Sequence, residues 1–442
     1  MSRARHSDLS APAGDEGLVR AIGTRALALA CINLIVGASI FVLPAAVAAD
    51  LGPAAILAYL VCAAILLLVG LCFAEAGSRV SVSGGTYAYI ERAFGPFVGF
   101  IASTFLWFAS GVLASASVAN ALVGTLAAAV PALAAPVPRA LVLAALYGGL
   151  AMLQIRGVRA GMRFVEGVTA AKLAPLVLFV VLGAFALEPA HLGWTALPSV
   201  GDIGRTVLLL FFAFQGIENA LTASGEIVRP ARTVPRAILV AVAGSTVLYG
   251  GIQLVAQGIL GDALAAHERA PLADAAGAAL GGWARAMLLA GAAVSMFGWV
   301  GGDLLAQPRA LYALGRDGLL PAPLAAVHPR FRTPHLAIAV YAALGFLFAV
   351  TGSFRSLALV ASSGALMLYL LACLAALQLR RRGVRAEGEP LDLPGGSVIA
   401  GVACVAIVWV LTSLRPAELG AVGIMIGVAA LAYGVRRRVT AA

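Results

Sequence analysis

Charge is scarce in this sequence. Of 442 residues only 11% are Asp, Glu, Lys or Arg, while 62% are hydrophobic and the mean hydropathy is +0.99. Soluble domains carry about a quarter charged residues, so the chain lacks the polar surface that would wrap a core of this size in water. That excludes a soluble enzyme and makes lipid the expected solvent. Lysine is nearly missing: Lys172 is the only one among 30 basic residues. The cysteines Cys31, Cys62, Cys72, Cys373 and Cys404 sit in apolar runs without metal-ligand or disulfide spacing. The histidines His6, His191, His267, His328 and His335 fall in the polar N-terminal tail or between apolar runs. HExxH, GxSxG within a span, Cys/His clusters and GxxxxGK[ST] are all missing. Metal hydrolysis, serine catalysis and ATP-driven transport therefore have no engine here, and no cofactor or metal is expected. The opening MSRARHSDLS lacks the apolar core and cleavage site of a leader. The first apolar stretch is thus expected to remain as a span.

What the chain does have is apolar runs near 20 residues, the length of one bilayer crossing. They predict twelve helices, at 26–48, 53–75, 97–130, 139–155, 163–187, 203–226, 236–260, 284–313, 335–352, 356–379, 397–414 and 418–435. With the N-terminus inside and the sides alternating, 23 arginines fall inside and 6 outside, as the positive-inside rule requires. Dropping one span would move every later arginine to the other side and erase that bias. The count therefore predicts twelve crossings of the inner (cytoplasmic) membrane with both termini cytoplasmic. It also assigns the formal charge of +10 to orientation and lipid headgroups rather than to nucleic acid.

Two runs break helical rules. The first holds Gly37-Ala38-Ser39 and Pro44 in mid-span, and the sixth holds Gln215-Gly216-Ile217-Glu218-Asn219. Small residues also serve close helix packing, so neither cluster decides alone. Their placement, five helices apart, is the pattern of inverted-repeat transporters, whose broken helices meet at a midplane site. The predicted organisation is a tail at 1–24, a first repeat at 25–187, a second at 188–380, and two further helices with a short tail at 381–442.

The segments GASIFVLPA, SGGTYAYIERAFGPFVGF, FFAFQGIENALTASGEIVRPARTVPRAI and PRALYALGRDGLLP occur in that order. They resemble the amino acid–polyamine–organocation permeases, from about Arg20 to about Leu379. The chain is identified as a member of that superfamily, of the bacterial amino acid permease type. The resemblance implies an all-α membrane fold with a LeuT-like core of 5+5 inverted helices plus two more, and secondary transport of an amino acid or amine. One departure is Ser39, which stands where members often carry glycine.

A zwitterion needs donors for its carboxylate and acceptors for its ammonium, and a split helix supplies both. The carboxylate is expected on the N–H groups around Ala38, Ser39 and Ile40, beside the site residue Gly37, with the Ser39 hydroxyl as an extra donor. The ammonium is expected on the carbonyls of Ile35, Phe212, Ala213 and Gln215 beside Gly216. The side-chain pocket is expected from Phe212, Phe214 and spans three, eight and ten. Glu218 is the one acid in that region, so a neutral amino acid is favoured. In-span carboxylates are costly; Glu218 either couples protons or is fixed by backbone and Asn219.

Lys172 lies about a third of the way along span five. A lysine held out of water releases its proton more readily, which makes buried lysines proton carriers. The competing account is snorkelling over roughly 13 Å to the near interface. The resemblance adds that some proton-coupled members place a lysine here, its ammonium filling a sodium position. Its amine is expected near the carbonyls of Val36 and Gly37 and near Ser295. Trp299, Asp303 and Gln307 share one face of span eight; Asp303 is expected to pair with a loop arginine or to line a vestibule. Asn33 and Glu166 are interior without an assigned role. Partners are thus an amino acid, protons and lipids. Exchange of two solutes, an amino acid sensor and a membrane-embedded enzyme are the alternatives to proton-coupled uptake.

Overall fold

The computed structural model describes residues 23–80, 86–156, 161–194, 196–217, 227–384 and 391–441. Among these residues every regular element is helical. Six helices open on proline, whose fixed φ and missing N–H cost nothing in the first turn. These are α5 (Pro96–Ala129), α6 (Pro136–Arg156), α9 (Pro230–Leu260), α10 (Pro271–Leu280), α12 (Pro308–Arg316) and α16 (Pro416–Ala441). The others are α1 (Thr24–Ile35), α2 (Leu43–Leu51), α3 (Ala55–Arg79), α4 (Thr86–Phe94), α7 (Gly161–Gly183), α8 (Val200–Phe214), α11 (Gly282–Ala306), α13 (His335–Thr351), α14 (Phe354–Arg381) and α15 (Gly396–Leu411).

Seven helices among the described residues are long and apolar enough to cross a membrane, and four shorter apolar ones accompany them. The chain is a multi-pass membrane protein. Three expected runs change shape. The run 26–48 is two helices, α1 and α2, with a non-helical gap and a short 3₁₀ turn at Ser39–Phe41 between them. The run 203–226 stops being helical at Phe214, and 218–226 lie outside the described residues. The run 284–313 is α11 and then α12, divided at Gln307 because Pro308 starts a new helix.

The helices run back and forth between two faces. The near face is where α1 begins; the far face is where α2 ends. Ionic and capping contacts tie helix ends on each. On the far face Arg355 of α14 holds Asp50 of α2 at 2.6 Å, and Arg205 of α8 holds Glu418 of α16 with two bonds of 2.5 Å. Arg139 of α6 donates to the carbonyls of Ala349, Val350 and Gly352, capping the last turn of α13. On the near face buried Glu75 accepts from Arg79 at 3.2 Å and from Arg380 at 2.9 Å, and Arg79 also bonds Asp392. That cluster clasps α3, α14 and the approach to α15. In α5, Phe105–Leu113 is a π-helical stretch, and α14 packs on it through Gly364, which leaves no room for a Cβ against Ala109. Such wide turns displace side chains from the regular helical face.

Candidate functional site

The two helix breaks meet. α1 ends where Val36 turns at φ −72°, ψ 73°, the geometry of an inverse γ-turn, and Gly37 N–H closes it on the Ile35 carbonyl at 2.6 Å. The next helical bonds are donated by Phe41 and Val42. The N–H groups of Ala38, Ser39 and Ile40 therefore precede the helical ladder of the second half, at its positive end. α8 ends with Gln215 extended at ψ 160°. Gly216 follows at φ +125°, and a Cβ there would lie 2.9 Å from the Leu34 carbonyl oxygen. Only glycine permits both that φ and that approach of one backbone to the other.

One side chain clamps the breaks together. The Tyr249 hydroxyl of α9 lies 2.7 Å from the Ile35 carbonyl oxygen and 3.1 Å from that of Ala213. Its single proton is shared between the ends of α1 and α8. The Tyr249 ring also meets Phe214 edge to face at 5.1 Å.

Between the breaks is a cavity of about 60 Å³. Of the residues expected to bind substrate, it brings together Ile35, Gly37, Ala38, Ser39, Phe212, Gln215 and Gly216, with Trp299 from α11. Ser39 is buried, and the Trp299 indole lies 3.7 Å from where a Gly37 Cβ would be. Ile40, Ala213 and Phe214 are buried behind the wall instead; Phe214 faces Tyr59 and Tyr249 rather than the cavity. The Phe212 ring in the cavity wall stands edge to face with Phe354 of α14 at 5.9 Å. On the near side of the cavity Leu34 is 37% exposed.

Lys172 is 8% exposed, and its Nζ donates to the Asn33 carbonyl at 2.7 Å. The amine thus reaches α1 one turn before the break, not the carbonyls of Val36 and Gly37. The Ser295 hydroxyl, expected beside it, is buried with no hydrogen-bond partner among the described residues. Snorkelling does not describe Lys172, since its head is engaged inside the bundle. Pro175 sits within the same helix and removes the N–H that would close the turn holding Lys172.

Asp303 also departs from expectation. Among the described residues its partner is no arginine: its Oδ2 accepts from the Tyr341 hydroxyl of α13 at 2.7 Å. Ser115 lies against the same carboxylate and accepts from Tyr147 at 3.1 Å. Four helices, α5, α6, α11 and α13, meet in that cluster. Glu218 and Asn219 lie outside the described residues, as does the side chain of Glu166.

Sequence reasoning missed Tyr249, Asn33 as a lysine acceptor, and Ser110. A signal existed for Ser110: Ala109-Ser110-Gly111 in the third run repeats the composition of Gly37-Ala38-Ser39. Among the described residues no His/Cys/Asp/Glu group could hold a metal.

A family model described as amino acid permease matches residues 22–431. An uncharacterized transporter of Mycobacterium tuberculosis is 32% identical over 412 residues, covering 92% of this chain and 89% of its own. The branched-chain amino acid permease BcaP of Bacillus subtilis is 26% identical over 423 residues, covering 92% and 90%. The serine/threonine exchanger SteT of the same organism is 27% identical over 444 residues, covering 96% and 98%.

Proposed function

The chain belongs to the amino acid permease family of the amino acid–polyamine–organocation superfamily, and from that membership we propose that it is a proton-coupled carrier of neutral amino acids working by alternating access. The observation that carries the proposal is the meeting of two broken helices at Gly216 and Leu34, pinned by Tyr249. The substrate carboxylate takes the N–H groups of Ala38, Ser39 and Ile40. The ammonium takes the carbonyls of Phe212, Ala213 and Gln215, of which Phe212 and Ala213 each keep a lone pair beside their side-chain donor; the Ile35 carbonyl, expected among them, already accepts from Gly37 N–H and from Tyr249. Around that site the chain makes twelve crossings, as a 5+5 inverted repeat (25–187 and 188–380) with two added helices, its near face cytoplasmic.

Lys172 carries the proton. Charged, its ammonium holds α7 to α1 through the Asn33 carbonyl. Neutral, it binds that carbonyl less strongly, and α1 is freer to swing. Protonation thus biases a two-state element. The serine/threonine exchanger among the relatives supports a second reading, obligatory exchange of two amino acids.

Uptake into proteoliposomes separates the two. Coupling predicts that an inwardly directed proton gradient concentrates a neutral amino acid, and that Lys172→Ala abolishes this accumulation while counterflow exchange survives. A Lys172→Ala carrier that still concentrates substrate under the gradient would falsify the role of Lys172. An unaltered carrier that ignores the gradient and needs internal substrate would favour exchange.

A further inference from the structure

The Asp303 cluster surrounds a carboxyl group with neutral hydroxyls alone. Tyr341 donates to its Oδ2 at 2.7 Å. Ser115 accepts from the Tyr147 hydroxyl at 3.1 Å, so its own proton is left for the carboxylate it lies against. The three hydroxyl side chains are buried, whereas Asp303 is partly exposed, which leaves the carboxyl open to proton exchange. Helices packed on α11 supply no countercharge among the described residues. Lys172 of α7 is engaged by the Asn33 carbonyl. Asp274 of α10 is engaged at the far end by His267 and Arg285. α5 faces the carboxyl with Ser115, α6 with Tyr147 and α13 with Tyr341, and neither Arg309 of α12 nor another cation acts on it.

Two hydroxyl bonds do not replace the water around a charge. An unbalanced carboxylate in a bundle surrounded by lipid is costly enough that such a group takes up a proton instead. The cluster accommodates both forms. Beside the Tyr147 bond the Ser115 oxygen keeps a second lone pair, so Ser115 donates to the carboxylate and accepts from the acid. The cluster also adjoins the cavity in two ways. α11 starts on the far face, where Arg285 bonds the Ala128 carbonyl at the end of α5. Asp303 is therefore one turn nearer the near face than Trp299, which walls the cavity. The Tyr341 hydroxyl lies against the π-helical stretch of α5, 2.7 Å from where a Gly111 Cβ would be, and the adjacent Ser110 lines the cavity. We propose that Asp303, with Ser115 and Tyr341, is a proton-binding site separate from Lys172, and that its proton seats α11 against α5, α6 and α13. With the proton gone, the charge draws water to the near half of α11, and the helix that carries Trp299 is loosened. The site stands apart from the carrier function; its effect on turnover rests on that function.

Infrared spectra of the unaltered protein in liposomes should contain the C=O stretch of a neutral carboxylic acid that disappears as the pH is raised. Asp303→Asn should lack that band. Ser115→Ala and Tyr341→Phe each remove a hydroxyl partner and should displace it, which assigns the band even if Asp303→Asn does not fold. If Asp303→Asn removes no such band at any pH, or neither hydroxyl variant moves it, the proton site is overturned. None of these spectra involves a substrate, so that failure leaves the carrier function standing. Counterflow of labelled alanine, with equal pH on both sides, reads the seating. In the Lys172→Ala carrier it should slow as the pH rises, and adding Asp303→Asn should remove the slope. A slope that survives Asp303→Asn, or none before it, overturns the seating role.

Discussion

Gly216 and Gly37 are both glycines at helix breaks, yet their surroundings demand different things. At Gly216 φ is +125° and a Cβ would lie 2.9 Å from the Leu34 carbonyl oxygen; at Gly37 the nearest atoms to such a Cβ are 3.7 Å away. A side chain at Gly216 is strained by about 1–3 kcal/mol from conformation alone, before the collision of two backbones that cannot yield. Gly216→Ala should therefore lower the melting temperature and abolish uptake. Gly37→Ala should change stability by less than about 1 kcal/mol, because its methyl meets ordinary van der Waals contacts. Thermal melts and uptake on both variants check the contrast. Equal loss in both would mean that the breaks do not touch as described. The sequence marks both glycines equally, since the difference lies in the φ of Gly216 and in a neighbour, Leu34, far off along the chain. Lys172 is similar: its isolation in an apolar run is legible, but the carbonyl it reaches is set by how α7 leans on α1.

Among the elements, α11 shows most clearly how a helix is read and misread. Its apolar run is plain in the sequence because lipid tolerates little else, and the same holds for the long helices α3, α5 and α14. Its end is less plain, since only Pro308 divides it from α12. The partner of Asp303 was not legible at all. Spacing along α11 gives the face but not which helix stands opposite, and that helix supplies Tyr341 rather than an arginine. Tyr341→Phe removes the donor and leaves the carboxylate with an unmet bond, at a cost of about 1–3 kcal/mol. Adding Asp303→Asn to that variant should recover most of the loss, because a neutral amide needs the phenol less. Thermal melts of the two single variants and the double form the cycle; strict additivity would show that the pair does not interact.

Taken whole, the molecule treats its two faces differently. Toward the far face Phe212 of the cavity wall meets Phe354 edge to face, and Asp50 pairs with Arg355, their side chains 21% and 41% exposed. A pair so open to water contributes only about 0–1 kcal/mol, so it fixes position more than it adds strength. Replacing Asp50 and Arg355 with cysteines should let a bis-methanethiosulfonate reagent that spans the lost ion pair cross-link α2 to α14, halting uptake until a reductant is added. Uptake that continues after quantitative cross-linking would mean that these two helices need not part. The single site between the two breaks has a consequence in kinetics. A carrier of the proposed kind offers that site to one face at a time, so solute arriving from the far side must at times wait for an empty carrier to turn round. Vesicles preloaded with unlabelled substrate at the near face should hasten that turn, and labelled solute offered at the far face should then enter faster than into empty vesicles.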